Sequence, residues 1–143
     1  MAPAGRVLAI DPGSKRVGVA LSDPCGVLAT PLLTLPAEPA ATLVDRLLAL
    51  AASHQAVELV VGLPRRLDGS SGPEAHTASR LAADLRAQSG LPVRLVDERL
   101  TSVIAERALL ANGRRRDRRK ELSDRVAAAV ILQGHLDSRR KQE

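Results

Sequence analysis

The stretch VLAIDPGSKRVGVALSD, residues 7–23, decides how this chain folds. An apolar run ends in Asp11, a Pro12-Gly13-Ser14 turn follows, and Lys15 and Arg16 lead into a second apolar run from Val17 to Leu21. Successive Pro and Gly mark a turn, and apolar runs on either side of it read as strands. The stretch therefore predicts a hairpin of strands 6–11 and 16–22. It sets a carboxylate just past a strand end and places positive charge beside it.

Outward from the hairpin, the chain alternates strands and helices. GVLATPLLTL (26–35) reads as a third strand, where Pro31 points to an irregularity or an edge position. AATLVDRLLALAASHQ (40–55) carries Leu43, Leu47, Leu48 and Leu50 at helical spacing. VELVVGLP (57–64) is a β-branched run that ends in Gly and Pro, the pattern of a buried strand. The loop LDGSSGP (67–73) brings in Pro73 as the start of a helix over about 74–89, which Gly90 closes. LPVRLVDE (91–98) is a fifth strand. Thr101 or Ser102 caps a helix to about residue 111, and Ser123 caps a last one over DRVAAAVILQGHL. This order predicts an α/β fold with a mixed five-stranded sheet: a three-strand antiparallel meander plus two parallel strands, flanked by helices. With 143 residues and no internal repeat or linker, one domain over 1–143 is expected.

Composition narrows the chemistry. A lone Cys25 excludes an internal disulfide framework and suits a reducing compartment. No apolar stretch nears the roughly 20 residues of a spanning helix, and MAPAGR lacks a signal pattern. A cytoplasmic protein without a membrane is expected. The net charge is +5, built from 18 Arg and 3 Lys, with no aromatic residue at all. Nucleic-acid binders that stack bases on rings are thereby disfavoured, and contacts should run through phosphates to guanidinium groups. RRRDRRK (114–120) holds six cations and one acid, which indicates a solvated loop or an anionic partner, mobile until that partner binds.

Three acids invite a chemical reading. Asp11 follows the first strand, Asp97 and Glu98 follow the fifth, and Asp124 opens the final helix, where the helix dipole favours it. Ligands of open α/β sheets collect at the carboxyl ends of strands. Carboxylates gathered there repel one another unless a hard, oxygen-seeking cation such as Mg²⁺ or Mn²⁺ neutralises them. Two such ions can stabilise the entering and leaving oxygens of a phosphodiester displacement. Asp23 and Asp68 read as turn stabilisers. His54, His76 and His135 have no metal-ligand spacing and read as structural or solvated. Cys25 reads as a small, partly buried side chain.

Four segments carry a resemblance to a known family: LAIDPGSKRVGVALSD (8–23), LVVGLPRRLDGSSGP (59–73), VRLVDERLTSVIAERAL (93–109) and SDRVAAAVILQ (123–133). Together they resemble the YqgF (RuvX) family, relatives of the RuvC Holliday-junction resolvases in the ribonuclease H-like superfamily. The resemblance implies a ribonuclease H-like fold and metal-dependent phosphodiester hydrolysis. Such proteins are implicated in maturing the 5′ end of pre-16S ribosomal RNA and in cutting branched DNA. Asp11, Glu98 and Asp124 fall on the family's acidic positions and are the expected catalytic and metal-holding residues, with two ions of Mg²⁺ or Mn²⁺. The RuvC branch takes its second acid from the end of the fourth strand, where this chain has Gly62, so Glu98 must replace it, with Asp97 beside it as a competitor. Lys15, Arg16, Arg99, Arg114, Arg115, Arg116, Arg118, Arg119 and Lys120 are the expected phosphate contacts. A four-way junction would call for a two-fold homodimer, whereas one RNA end needs only a monomer. Two other readings start from the same residues. The Asp-x-Gly-Ser hairpin also opens the phosphate-binding loop of actin-like kinases, which need a second such domain. A non-catalytic RNA-binding assembly factor would use the basic surface alone.

Overall fold

The computed structural model describes residues 5–64, 72–98 and 116–141. The opening hairpin forms as the Pro-Gly turn requires: β1 (Arg6–Pro12) pairs antiparallel with β2 (Arg16–Ser22). β3 (Ala29–Pro36) continues the meander antiparallel to β2. α1 (Ala40–Ser53) crosses to β4 (Ala56–Leu63), which pairs parallel with β1. α2 (Pro73–Ser89) crosses to β5 (Val93–Asp97), parallel to β4. The sheet order is β3-β2-β1-β4-β5, so the strand carrying Asp11 lies at the centre.

Helices cover both faces, and this is why β1 and β4 read as continuous apolar runs rather than alternating ones. Leu8, Ile10, Val19, Leu59 and Val61 pack on one face against Leu47 of α1 and Leu81 and Leu85 of α2. Val7, Ala9, Ala20 and Val60 pack on the other face beneath α3 (Arg116–Lys141), through its Ala127, Ala128, Ile131, Leu132 and Leu136. Residues facing α3 on the central strands are small, which lets the helix lie close to the sheet.

Local signals decide the smaller features. Pro73 stands in the first turn of α2, and Gly90 closes that helix in the left-handed conformation at φ 71°. β3 begins at Ala29 rather than at residue 26. Asp23 Oδ1 accepts the N–H groups of Val27 (2.7 Å) and Leu28 (3.1 Å), which makes 23–28 a turn. The irregularity expected at Pro31 is a register shift in the β2–β3 pair, on an edge strand. Cys25 is exposed, not partly buried, because it sits in that turn.

The largest correction concerns the basic run. Residues 116–120 are helical, and Ser123 lies inside α3 instead of capping it. Arg, Lys, Glu and Leu are all good helix formers and no Gly or Pro interrupts the segment, so the helix propagates through Ser123. The segment expected to be a mobile loop is, from Arg116 onward, the first turn of a 26-residue helix. Asp124 is consequently its ninth residue, well past the first turn in which a helix dipole would favour it. The helix expected over 101–111, Asp68, Arg99, Arg114 and Arg115 lie outside the described residues. No described helix is long and apolar enough to cross a membrane.

Candidate active site

Asp11 is not beyond the strand end but within β1, paired with Gly18 of β2 and only 3% exposed. Side chains alternate along a strand, so Asp11 shares the α3-facing side with Val7 and Ala9. Gly18, opposite it, brings in the second acid. A Cβ at Gly18 would run into the carbonyl group of Asp124 and stand 2.9 Å from the Arg125 nitrogen. The helix backbone at Asp124 therefore lies directly on Gly18, one strand away from Asp11. Only glycine permits that approach.

Gly62 plays the corresponding part on the other side of Asp11. Ile10 pairs with Val61, so the next step of the parallel register sets Asp11 beside Gly62. A Cβ at Gly62 would lie 3.1 Å from Glu98 Oε1 and 2.7 Å from Ile131 Cδ1. The carboxylate of Glu98, just past β5, thus occupies the space over the end of β4. Gly62 leaves the room for that carboxylate. Asp97 pairs with Leu63, whose side chain belongs to the core on the α1–α2 side, so strand alternation turns Asp97 away from Asp11.

Asp11, Glu98 and Asp124 are therefore carried by adjoining backbone on one face of the sheet, and each already has an interaction partner. Among the described residues, no group of three or more His, Cys, Asp or Glu side chains is drawn together closely enough to hold a metal ion. Lys15 and Arg16 lie at the hairpin turn, next to the carboxyl end of β1, and line a cleft with Thr34, Leu35 and Pro36. Arg116, Arg118, Arg119 and Lys120 fall in the first turns of α3, on the segment leading to Asp124. His54 ends α1, and His76 is an exposed residue of α2. Asp23 stabilises its turn, and the hydrogen bonds from Val27 and Leu28 hold its carboxyl below the usual range.

Sequence reasoning missed a second acidic site, which is structural. Glu58, near the start of β4, is 2% exposed beneath the far end of α3. Its Oε1 accepts a hydrogen bond from Arg139 and lies 3.4 Å from His135 Nε2, while Arg94 Nε stands 3.6 Å from Oε2. Burial pushes the Glu58 carboxyl up, but the hydrogen bonds and charges of His135 and Arg139 outweigh it and lower it from 4.5 to about 2. The signal was present. VELVVGLP carries one acid inside a central apolar strand, and His135 and Arg139 recur four residues apart on the packed face of the last helix. Glu58 and Asp11 thus lie at opposite ends of the sheet under the same helix.

Known proteins resemble this chain in sequence and in fold. The family model for RuvX, described as Holliday junction resolvase, matches residues 5–138. A Roseiflexus sp. (strain RS-1) protein named "Putative pre-16S rRNA nuclease" is 45% identical over 136 residues, covering 95% of this chain and 96% of that one. A protein of the same name from Mycobacterium sp. (strain KMS) is 50% identical over 138 residues, covering 95% and 82%. Thermus thermophilus RuvC, solved in complex with a Holliday junction substrate, superposes with a TM-score of 0.57 over 95% of this chain and 96% of that one. Its identity of 15% makes this a likeness of fold alone. With the sheet order 3-2-1-4-5 flanked by helices and a family match over nearly its whole length, this chain belongs to the RuvX family.

Proposed function

We propose that this protein is a divalent-metal-dependent nuclease that hydrolyses phosphodiester bonds in structured nucleic acid, with Asp11, Glu98 and Asp124 as its catalytic carboxylates. The observation that carries this reading is the pair of glycines flanking Asp11. Gly18 admits the backbone of Asp124, and Gly62 admits the carboxylate of Glu98. Three acids on adjoining backbone, without His or Cys among them, suit a hard cation of the Mg²⁺ or Mn²⁺ kind, and such a cation would draw them together. Bound there, the cation supplies charge neutralisation at the phosphate being displaced. Buried Asp11 orients from the rigid centre of the sheet, and Glu98 and Asp124 close from β5 and α3. Lys15, Arg16 and the cations of residues 114–120, with Arg99, hold flanking phosphates.

The relatives' name favours precursor ribosomal RNA as substrate, and the family description favours junction DNA. Side-by-side cleavage of a four-way junction and of precursor 16S ribosomal RNA, with Mg²⁺, Mn²⁺ or excess EDTA, tests both. We expect activity with either metal, none in EDTA, and a loss of orders of magnitude in Asp11→Asn with binding retained. Near-normal cleavage by Asp11→Asn would falsify the site. Junction cutting needs two incisions and hence a two-fold homodimer on the junction, which light scattering detects. A monomer on junctions favours the RNA substrate.

A further inference from the structure

We infer that the cleft beside the Asp11 hairpin is a subsite for one unpaired nucleotide flanking the scissile phosphate. The inference rests on the nuclease reading and adds to it the kind of strand the enzyme accepts. The cleft has a volume of about 260 Å³ and is lined by Lys15, Arg16, Thr34, Leu35 and Pro36. This space is on the scale of a single nucleotide.

The register of the sheet ties the cleft to the carboxylates. Thr34 pairs with Gly18, and Gly18 with Asp11, so the three form one row across β3, β2 and β1. Neighbouring strands lie about 4.8 Å apart, which sets the Thr34 backbone roughly 10 Å from that of Asp11. That is a step or two along a polynucleotide. Directly paired residues share a face, so Thr34 lies on the same face of the sheet as Asp11. Arg16 is in register with Pro36 two rows on, the next pair on that same face. The walls are pinned to each other. The Ala37 N–H donates to the Lys15 carbonyl at 2.9 Å, and the Gly13 N–H to the Arg16 carbonyl at 3.0 Å. The cleft is therefore preformed and needs little ordering to bind.

Its lining divides by chemistry. The two cations and a hydroxyl suit a phosphate, while the Pro36 ring offers apolar surface to a base; the Leu35 side chain turns to the opposite face, against the α1–α2 core. In a chain with no Phe, Tyr or Trp, a base can stack on a histidine ring, a guanidinium plane or a proline ring. This cleft contains the last two, in Arg16 and Pro36. A base held inside a duplex cannot reach such a wall, so the subsite selects a strand that is unpaired next to the cut.

The test is an NMR titration of the full chain with adenosine monophosphate, adenosine and inorganic phosphate, following the amides of Lys15, Arg16, Thr34 and Leu35. Adenosine monophosphate should shift these amides and bind at least about fivefold tighter than inorganic phosphate, the low end of what base stacking supplies. Arg16→Lys keeps the charge and loses the plane, so it should abolish that preference while phosphate still binds. Pro36→Ala should reduce the preference independently, should Arg16→Lys disturb the hairpin. Equal binding of nucleotide and phosphate, shifts located elsewhere, or an unchanged preference in both variants overturns the subsite. No readout here depends on cleavage. A chain that binds the nucleotide here and cuts nothing refutes the nuclease reading, and one that cuts but binds none refutes the subsite.

Discussion

Replacing Glu58 with Gln should weaken the fold in a way that depends on pH. The carboxylate is nearly inaccessible and ties the start of β4 to the end of α3 through Arg139 and His135, with Arg94 at the rim. Its native value of about 2, against an ordinary 4.5, means that the folded state binds its proton more weakly than the unfolded chain does. Each tenfold difference in proton affinity is worth about 1.4 kcal/mol, so the interval corresponds to about 3 kcal/mol. The sign follows from the depressed value. The stabilisation is fully present above about pH 4.5 and is lost as the pH falls toward 2. At pH 7 the variant also leaves Arg139 partly buried without its counter-charge, a loss of the kind that makes single-sided removal of a buried pair costly. Urea unfolding of wild type and Glu58→Gln at pH 7, 5, 4 and 3 measures the gap between them, and titrations common to both cancel in the difference. We expect a gap of about 3 kcal/mol at pH 7 that narrows steadily below about pH 4.5. A gap that stays constant from pH 7 to pH 3, or a variant as stable as wild type at pH 7, refutes the linkage.

The packing of α3 on Gly18 and Gly62 gives two further outcomes, and the basic run a third. Gly18→Ala forces a Cβ into the Asp124 carbonyl, which is helix backbone and cannot step aside, so stability should fall by about 1–3 kcal/mol and cleavage with it, read by denaturant midpoint and activity together. Gly62→Ala meets Ile131 Cδ1 and Glu98 Oε1, both ends of flexible side chains, so stability should change by less than about 1 kcal/mol while displacement of Glu98 lowers cleavage. Replacing Arg114, Arg115, Arg116 and Arg119 with Ala should reduce the slope of log affinity against log salt on duplex DNA, by about 0.9 for each phosphate no longer neutralised and equally for all sequences; an unchanged slope in a filter-binding series leaves these cations without that role.

Much of the fold was legible because it is written in local chemistry. The Pro-Gly turn, the β-branched run of β4, Pro73 at the head of α2 and Gly90 at its end each act within a few residues, and their elements stand within three residues of expectation. The start of the last helix was not legible, because a good N-cap at Ser123 competes with a run of strong helix formers before it, and propagation through that run won. Glu58 was overlooked because a single acid in a strand reads as solvent-facing until the helix that covers it is known to carry His135 and Arg139 above it.

The amino-acid order alone determined the alternation of elements, the mixed sheet, the surplus of guanidinium charge, and candidate acids at two strand ends and on the last helix. It could not decide between Asp97 and Glu98, which are neighbours in the chain. The tertiary structure separates them, because alternation sends adjacent residues to opposite faces and only Glu98 finds the open space over Gly62. The juxtaposition of Asp11 with Asp124, more than a hundred residues away, likewise depends on a helix lying directly on a glycine in the next strand. Proximity of this kind is a property of packing. No local signal encodes it, because each residue's own preferences are satisfied whether or not its distant partner arrives.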